Sequence, residues 1–106
     1  MSTHGWVEAC AADAIEREDV ERFDHGGRTF AIYRSADDKY FATDGLCTHE
    51  HAYLADGLVM DDIIECPKHN GLFNYKTGEA KGAPVCINLK TYPVRVVAGK
   101  VLIDLG

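Results

Sequence analysis

Apolar and polar residues alternate along this chain over short stretches rather than at helical spacing. Trp6-Val7-Glu8-Ala9 opens the pattern, and residues 16–23 continue it up to a turn at His25-Gly26-Gly27. Thr29-Phe30-Ala31-Ile32-Tyr33 follows, then a turn over 35–39, then Tyr40-Phe41-Ala42-Thr43 before Asp44-Gly45. Further on come Asp56-Gly57-Leu58-Val59, Ile63-Ile64-Glu65 and Leu72-Phe73-Asn74-Tyr75, the last ended by the turn 76–79. The tail predicts a closing hairpin, residues 92–97 and 101–105 around Ala98-Gly99-Lys100, with Val101, Ile103 and Leu105 on one face. Only residues 11–15 suit a helical turn. Many short strands separated by turns, in a chain with ten glycines, point to an all-β sandwich or partly open barrel. The length of 106 residues suits one domain with a single core.

Composition narrows the function. Acidic residues outnumber Lys and Arg by 17 to 11, a net charge of −6, which disfavours a nucleic-acid partner and favours a basic docking patch. No apolar run reaches the ~18 residues that span a bilayer, and Met1 to Trp6 lack the basic start of a secretory signal. A cytoplasmic location is expected, where four cysteines point to metal or redox chemistry rather than disulfides. Cys10 and Cys86 stand apart from any histidine and are expected to be small buried residues.

The other two cysteines carry the candidate chemistry. Cys47-Thr48-His49 is followed, after sixteen residues, by Cys66-Pro67-Lys68-His69. Two mixed pairs within 23 positions offer two sulfurs and two imidazole nitrogens, good ligands for soft or borderline metals. Zinc also accepts such a set, but common zinc modules pair cysteine with cysteine. A mixed loop lets one iron take both sulfurs and its neighbour both imidazoles. His51 could replace His49, although the spacing favours His49. His4 and His25 are expected in solvent. Glu50, Asp56, Asp61, Asp62 and Glu65 crowd the segment between the pairs, as an acidic docking face or simply a solvated surface.

These two boxes, with Gly71 close behind, resemble the cluster-binding boxes of Rieske proteins. Within that group the chain is similar to the ferredoxins of bacterial multicomponent oxygenases, from Trp6 through Gly82-Ala83-Pro84 to the final hairpin. Residues 66–73 are also similar to ferredoxins of rhizopine catabolism. The resemblance implies a Rieske fold over 1–106: three antiparallel β-sheets with a small cluster-binding subdomain whose loops lie at about 44–75. It also implies a [2Fe–2S] cluster on Cys47, His49, Cys66 and His69, screened by a proline-bearing loop at 82–84. The implied role is a low-potential one-electron carrier, not an enzyme, and monomeric. Its electrons pass from a flavin-dependent ferredoxin reductase to a terminal oxygenase.

Departures from the wider family point to the potential. The high-potential members carry a disulfide where Ala52 and Lys68 stand here, and place serine and tyrosine hydroxyls near the sulfurs where this chain has Gly71 and Phe73. Alternatives from other classes are a small Rieske-like subunit of a reductase and a zinc-stabilised protein-binding β module.

Overall fold

A computed structural model describes residues 5–48, 51–68, 70–82 and 87–106. Among these the alternation resolves into β1 (Trp6–Ala11), β2 (Asp19–His25), β3 (Arg28–Arg34), β4 (Tyr40–Asp44), β5 (Leu58–Met60), β6 (Ile63–Glu65), β7 (Leu72–Asn74), β8 (Thr91–Tyr92), β9 (Val94–Val97) and β10 (Lys100–Asp104). Short 3₁₀ turns cover Ala12–Ala14 and Leu54–Asp56. The strands form three antiparallel sheets, in the orders β1-β10-β9, β2-β3-β4-β8 and β5-β6-β7.

The four-stranded sheet is the middle layer, and β3 shows why. Phe30 and Ile32 point to one face, where they pack with Val101 and Ile103 of the terminal sheet. Ala31 and Tyr33 point to the other, into a cluster with Leu54, Val59, Ile64, Phe73 and Tyr75 beneath the small sheet. A strand covered on both faces needs apolar residues at every position, and β3 is buried from Phe30 to Tyr33. Burying each such large side chain contributes on the order of 1.5–3 kcal/mol. Along β10, where one face meets the core, period-two alternation holds: Val101 and Ile103 are buried and Leu102 only partly so.

Two contacts, Tyr33–Tyr75 and Glu18–Asp61, fix the small sheet to the middle layer, and an ion pair from Lys76 to Asp62 braces the small sheet itself. The rings of Tyr33 and Tyr75 stack with centroids 4.6 Å apart and an interplanar angle of 10°. At the far end of the β5–β6 hairpin, the Asp61 N–H donates to Glu18 Oε2 (2.8 Å) and Lys76 Nζ reaches Asp62 (3.0 Å). Burial pushes the Tyr33 phenol well above its usual pKa, so it stays protonated, paired with Thr43 Oγ1 at 2.9 Å.

Three expectations shift in detail. The second strand begins at Asp19, because Glu18 takes a left-handed φ of 60° and its N–H turns back to the Arg34 carbonyl. The stretch 92–97 is not one strand: Pro93 has no N–H for a ladder, and the chain changes sheets there. Its carbonyl instead accepts from the Asp104 N–H. Leu105 lies beyond β10 and is only partly buried, its N–H donating to the Gly5 carbonyl.

Candidate metal centre

Both boxes are built on one backbone plan. The first leaves β4 at Asp44, pairs Leu46 with Tyr53 in an antiparallel bridge, and closes where the Cys47 N–H donates to the Ala52 carbonyl at 2.8 Å. The second leaves β6 at Glu65 and closes where the Cys66 N–H donates to the Gly71 carbonyl at 2.7 Å. In each, the cysteine bonds to the residue five places on. The residue before that closure is a left-handed non-glycine, His51 (φ 56°) in one and Asn70 (φ 54°) in the other. His51 is exposed, and its N–H donates to the Cys47 carbonyl at 2.9 Å. That gives His51 a loop-closing task, at the left-handed position that Asn70 holds in the second box. Asparagine tolerates left-handed backbone well, so His51→Asn should leave iron content and the visible spectrum at wild-type levels; loss of iron would reinstate His51 as a ligand.

Glycines at the roots of the boxes serve close approach rather than turning alone. At Gly45 a Cβ would stand 2.9 Å from the Phe30 nitrogen and the Thr29 carbonyl carbon. At Gly57 it would stand 2.1 Å from the carbonyl oxygen of Glu65, the residue before Cys66. Gly57→Ala must therefore push β6 and the second box apart from the 3₁₀ turn. Overpacking of this kind costs roughly 1–3 kcal/mol. The check is a urea midpoint lowered accordingly, together with faster loss of visible absorbance.

Cys47 and Cys66 are both buried and belong to one apolar cluster with Leu54, Ile64 and Phe73. His49, Glu50, His69 and residues 83–86, including Cys86 and most of the expected screening loop, lie outside the described residues, as does His4. The start and end of that loop region are tied in. Thr48 Oγ1 donates to the Ile87 carbonyl at 2.7 Å, and the Lys81 N–H donates to the Leu72 carbonyl at 2.8 Å. Two sulfurs in an apolar cluster, each at the root of a histidine-bearing loop, suit a metal centre. Cysteine ligates a metal as the thiolate. Among the described residues no group of three potential ligands gathers elsewhere. Cys10 is half-buried rather than fully buried, and desolvation raises its thiol pKa. His25 is exposed and stacks on Phe23.

The charges around the centre are unevenly placed. Asp56 and Glu65 border a cleft of about 370 Å³ with Cys66, Pro67 and Asn70. Asp61 and Asp62 do not; they sit at the opposite end of the β5–β6 hairpin, engaged by Glu18, Tyr75 and Lys76. Beside the first box a cleft of about 530 Å³ is lined by Arg28, Asp44, Cys47, Thr48, His51 and Tyr53 among others. On its wall an Arg28 nitrogen donates to Tyr92 Oη at 2.6 Å, and that hydroxyl donates to Asp44 Oδ1 at 2.5 Å. These three residues come from β3, β8 and β4. Nothing in the order of the chain marks them, since Arg28 and Tyr92 are 64 positions apart.

Comparison with known proteins agrees with this geometry. Residues 5–93 match the Rieske [2Fe-2S] domain. The ferredoxin component of a naphthalene 1,2-dioxygenase system from Pseudomonas aeruginosa is 42% identical over 104 residues, covering 98% of this chain and 99% of the relative. Among solved structures, the Sphingomonas yanoikuyae B1 ferredoxin superposes with a TM-score of 0.88 at 38% identity, covering 94% of this chain and 98% of the other. A chain from the complex of reduced oxygenase and oxidized ferredoxin in carbazole 1,9a-dioxygenase gives 0.88 at 33% identity, covering 95% and 94%.

Proposed function

This chain belongs to the Rieske [2Fe–2S] domain family, and we propose that it is a single-domain electron carrier working in the cytoplasm. It takes one electron at a time from a flavin-dependent reductase and delivers it to a terminal oxygenase. The cofactor is a [2Fe–2S] cluster, for which we assign Cys47 and Cys66 as thiolate ligands of one iron and His49 and His69 as imidazole ligands of the other. When bound, the cluster takes up and returns a single electron; no substrate bond is made or broken on this chain, which is therefore not an enzyme. The observation that carries the reading is the pair of matching loops, each rooted on a buried cysteine in one shared apolar cluster. Leu54, Ile64 and Phe73 exclude water on the inner side. We assign His49 and His69, which follow these cysteines by two and three positions in the sequence, as the points of electron entry and exit.

Hydrogen bonds to the sulfurs and solvent exposure are principal levers on such potentials. Here position 71 has no side chain and position 73 is a buried phenylalanine. Among the described residues, the hydroxyls of Thr48, Tyr75, Tyr33 and Thr43 are engaged by the Ile87 carbonyl, the Asp61 carbonyl, Thr43 Oγ1 and the Asp44 carbonyl respectively. A redox titration should therefore place the midpoint at the low end of the Rieske range, on the order of −150 mV rather than +300 mV. A midpoint well above zero would contradict a donor to an oxygenase.

A further inference from the structure

We infer that Arg28, Tyr92 and Asp44 form a hydrogen-bonded relay whose two opposite charges tune the reduction potential of the cluster from outside its ligand set. The inference rests on the electron-carrier reading above. Asp44 is three residues before Cys47, and both line the cleft that Arg28 overhangs. Guanidinium is donor-only. The Tyr92 oxygen must therefore accept from Arg28, and its single proton goes to Asp44, so the hydrogen-bond direction is fixed along the chain of three. Burial, then the hydrogen bond to Asp44, push the Tyr92 phenol up to about 12, which keeps that proton in place at working pH.

The relay is held rigidly. The Tyr92 ring meets Phe30 edge-on at 5.2 Å, and Arg28 lies over Phe30 at 4.9 Å. Asp44 and Gly45 are strapped down by backbone bonds from their N–H groups to the carbonyls of Lys90 (2.9 Å) and Thr29 (3.0 Å). Arg28 and Asp44 approach to 3.7 Å, with side chains about half exposed. Opposite charges thus stand at fixed places at the root of the first box. A reduced cluster carries one more negative charge than an oxidised one. The Arg28 cation favours reduction and the Asp44 anion opposes it; each partly offsets the other.

Removing either charge alone exposes its partner, and the two removals act with opposite sign. Potentiometric titration of Arg28→Gln should give a midpoint below wild type, and of Asp44→Asn a midpoint above it. Arg28→Lys, which keeps the charge, should stay close to wild type. Both shifts should shrink as the Debye length falls from about 30 Å at 0.01 M salt to about 3 Å at 1 M. A purely structural role predicts shifts of one sign, or none, and either result overturns the inference. Should Asp44→Asn lose its cluster, the comparison of Arg28→Gln with Arg28→Lys decides alone: equal midpoints overturn the relay. A wild-type protein without a [2Fe–2S] spectrum would instead sink the carrier reading, which the variants do not touch.

Discussion

His69→Ala is expected to abolish the cluster, with iron content falling at least about tenfold and the visible absorption lost. Even partners outside the ligand set typically change metal affinity by about 10–100-fold, and an imidazole bound directly to iron matters more. The second box has no substitute for it. Asn70, the next residue, faces the closure of the loop with a left-handed backbone, and Lys68 as an ammonium has no lone pair to offer. Cys66→Ser should behave alike, because its sulfur is buried beside Phe73 and Ile64 and a hydroxyl is a poor ligand for iron at neutral pH. His51→Asn is the internal control, with full iron expected. A His69→Ala protein that kept a normal spectrum would overturn the ligand assignment.

The second large effect is structural. Tyr75→Ala should destabilise the protein by about 3–5 kcal/mol, the usual cost of truncating a buried large aromatic. Tyr75 is fully buried between Tyr33, stacked at 4.6 Å, and Phe41, edge-on at 5.8 Å. Its hydroxyl donates to the Asp61 carbonyl at 2.6 Å, a bond that truncation also removes. Since domains of this kind have only about 5–15 kcal/mol in hand, roughly a fifth of the stability or more is at stake. The urea midpoint of holoprotein measures it. Tyr75→Phe, keeping the stack and losing the hydrogen bond, should cost about 1 kcal/mol. Equal losses for the two variants would show that the stack contributes little.

A candidate centre can be read from the sequence because its chemistry is local: each cysteine and the histidine proposed to act with it lie within four residues. The strands were legible wherever a sheet has one solvent face, as in β10, since period-two alternation records it. Three sheets rather than a sandwich could not be read from alternation, because β3 serves two cores at once and Pro93 transfers the chain between sheets within one apolar stretch. The glycines show the same limit. Asp44-Gly45 and Lys76-Thr77-Gly78 both read as turn chemistry. Gly78 does have a φ of +85°, but a Cβ there would also strike the Leu89 carbonyl oxygen at 2.2 Å, and Gly45 is needed for what a Cβ would strike on β3, a contact between residues about 15 positions apart. Likewise, the crowded acidic segment reads either as a docking face or as a solvated surface, and sequence order does not say which carboxylates stand near the cysteines. The hairpin carries Asp61 and Asp62 to the far end and leaves Asp56 and Glu65 beside Cys66. Arg28, Asp44 and Tyr92 meet only through the pairing of β3 with β4 and of β4 with β8.

Metal and sulfide analysis of native protein, joined to electron paramagnetic resonance after dithionite reduction, probes the heart of the matter. Two irons and two acid-labile sulfides per chain, with a rhombic low-temperature signal, are the result to expect from paired sulfur–nitrogen loops holding bridged irons. Colourless protein containing only zinc, silent after reduction, would contradict it.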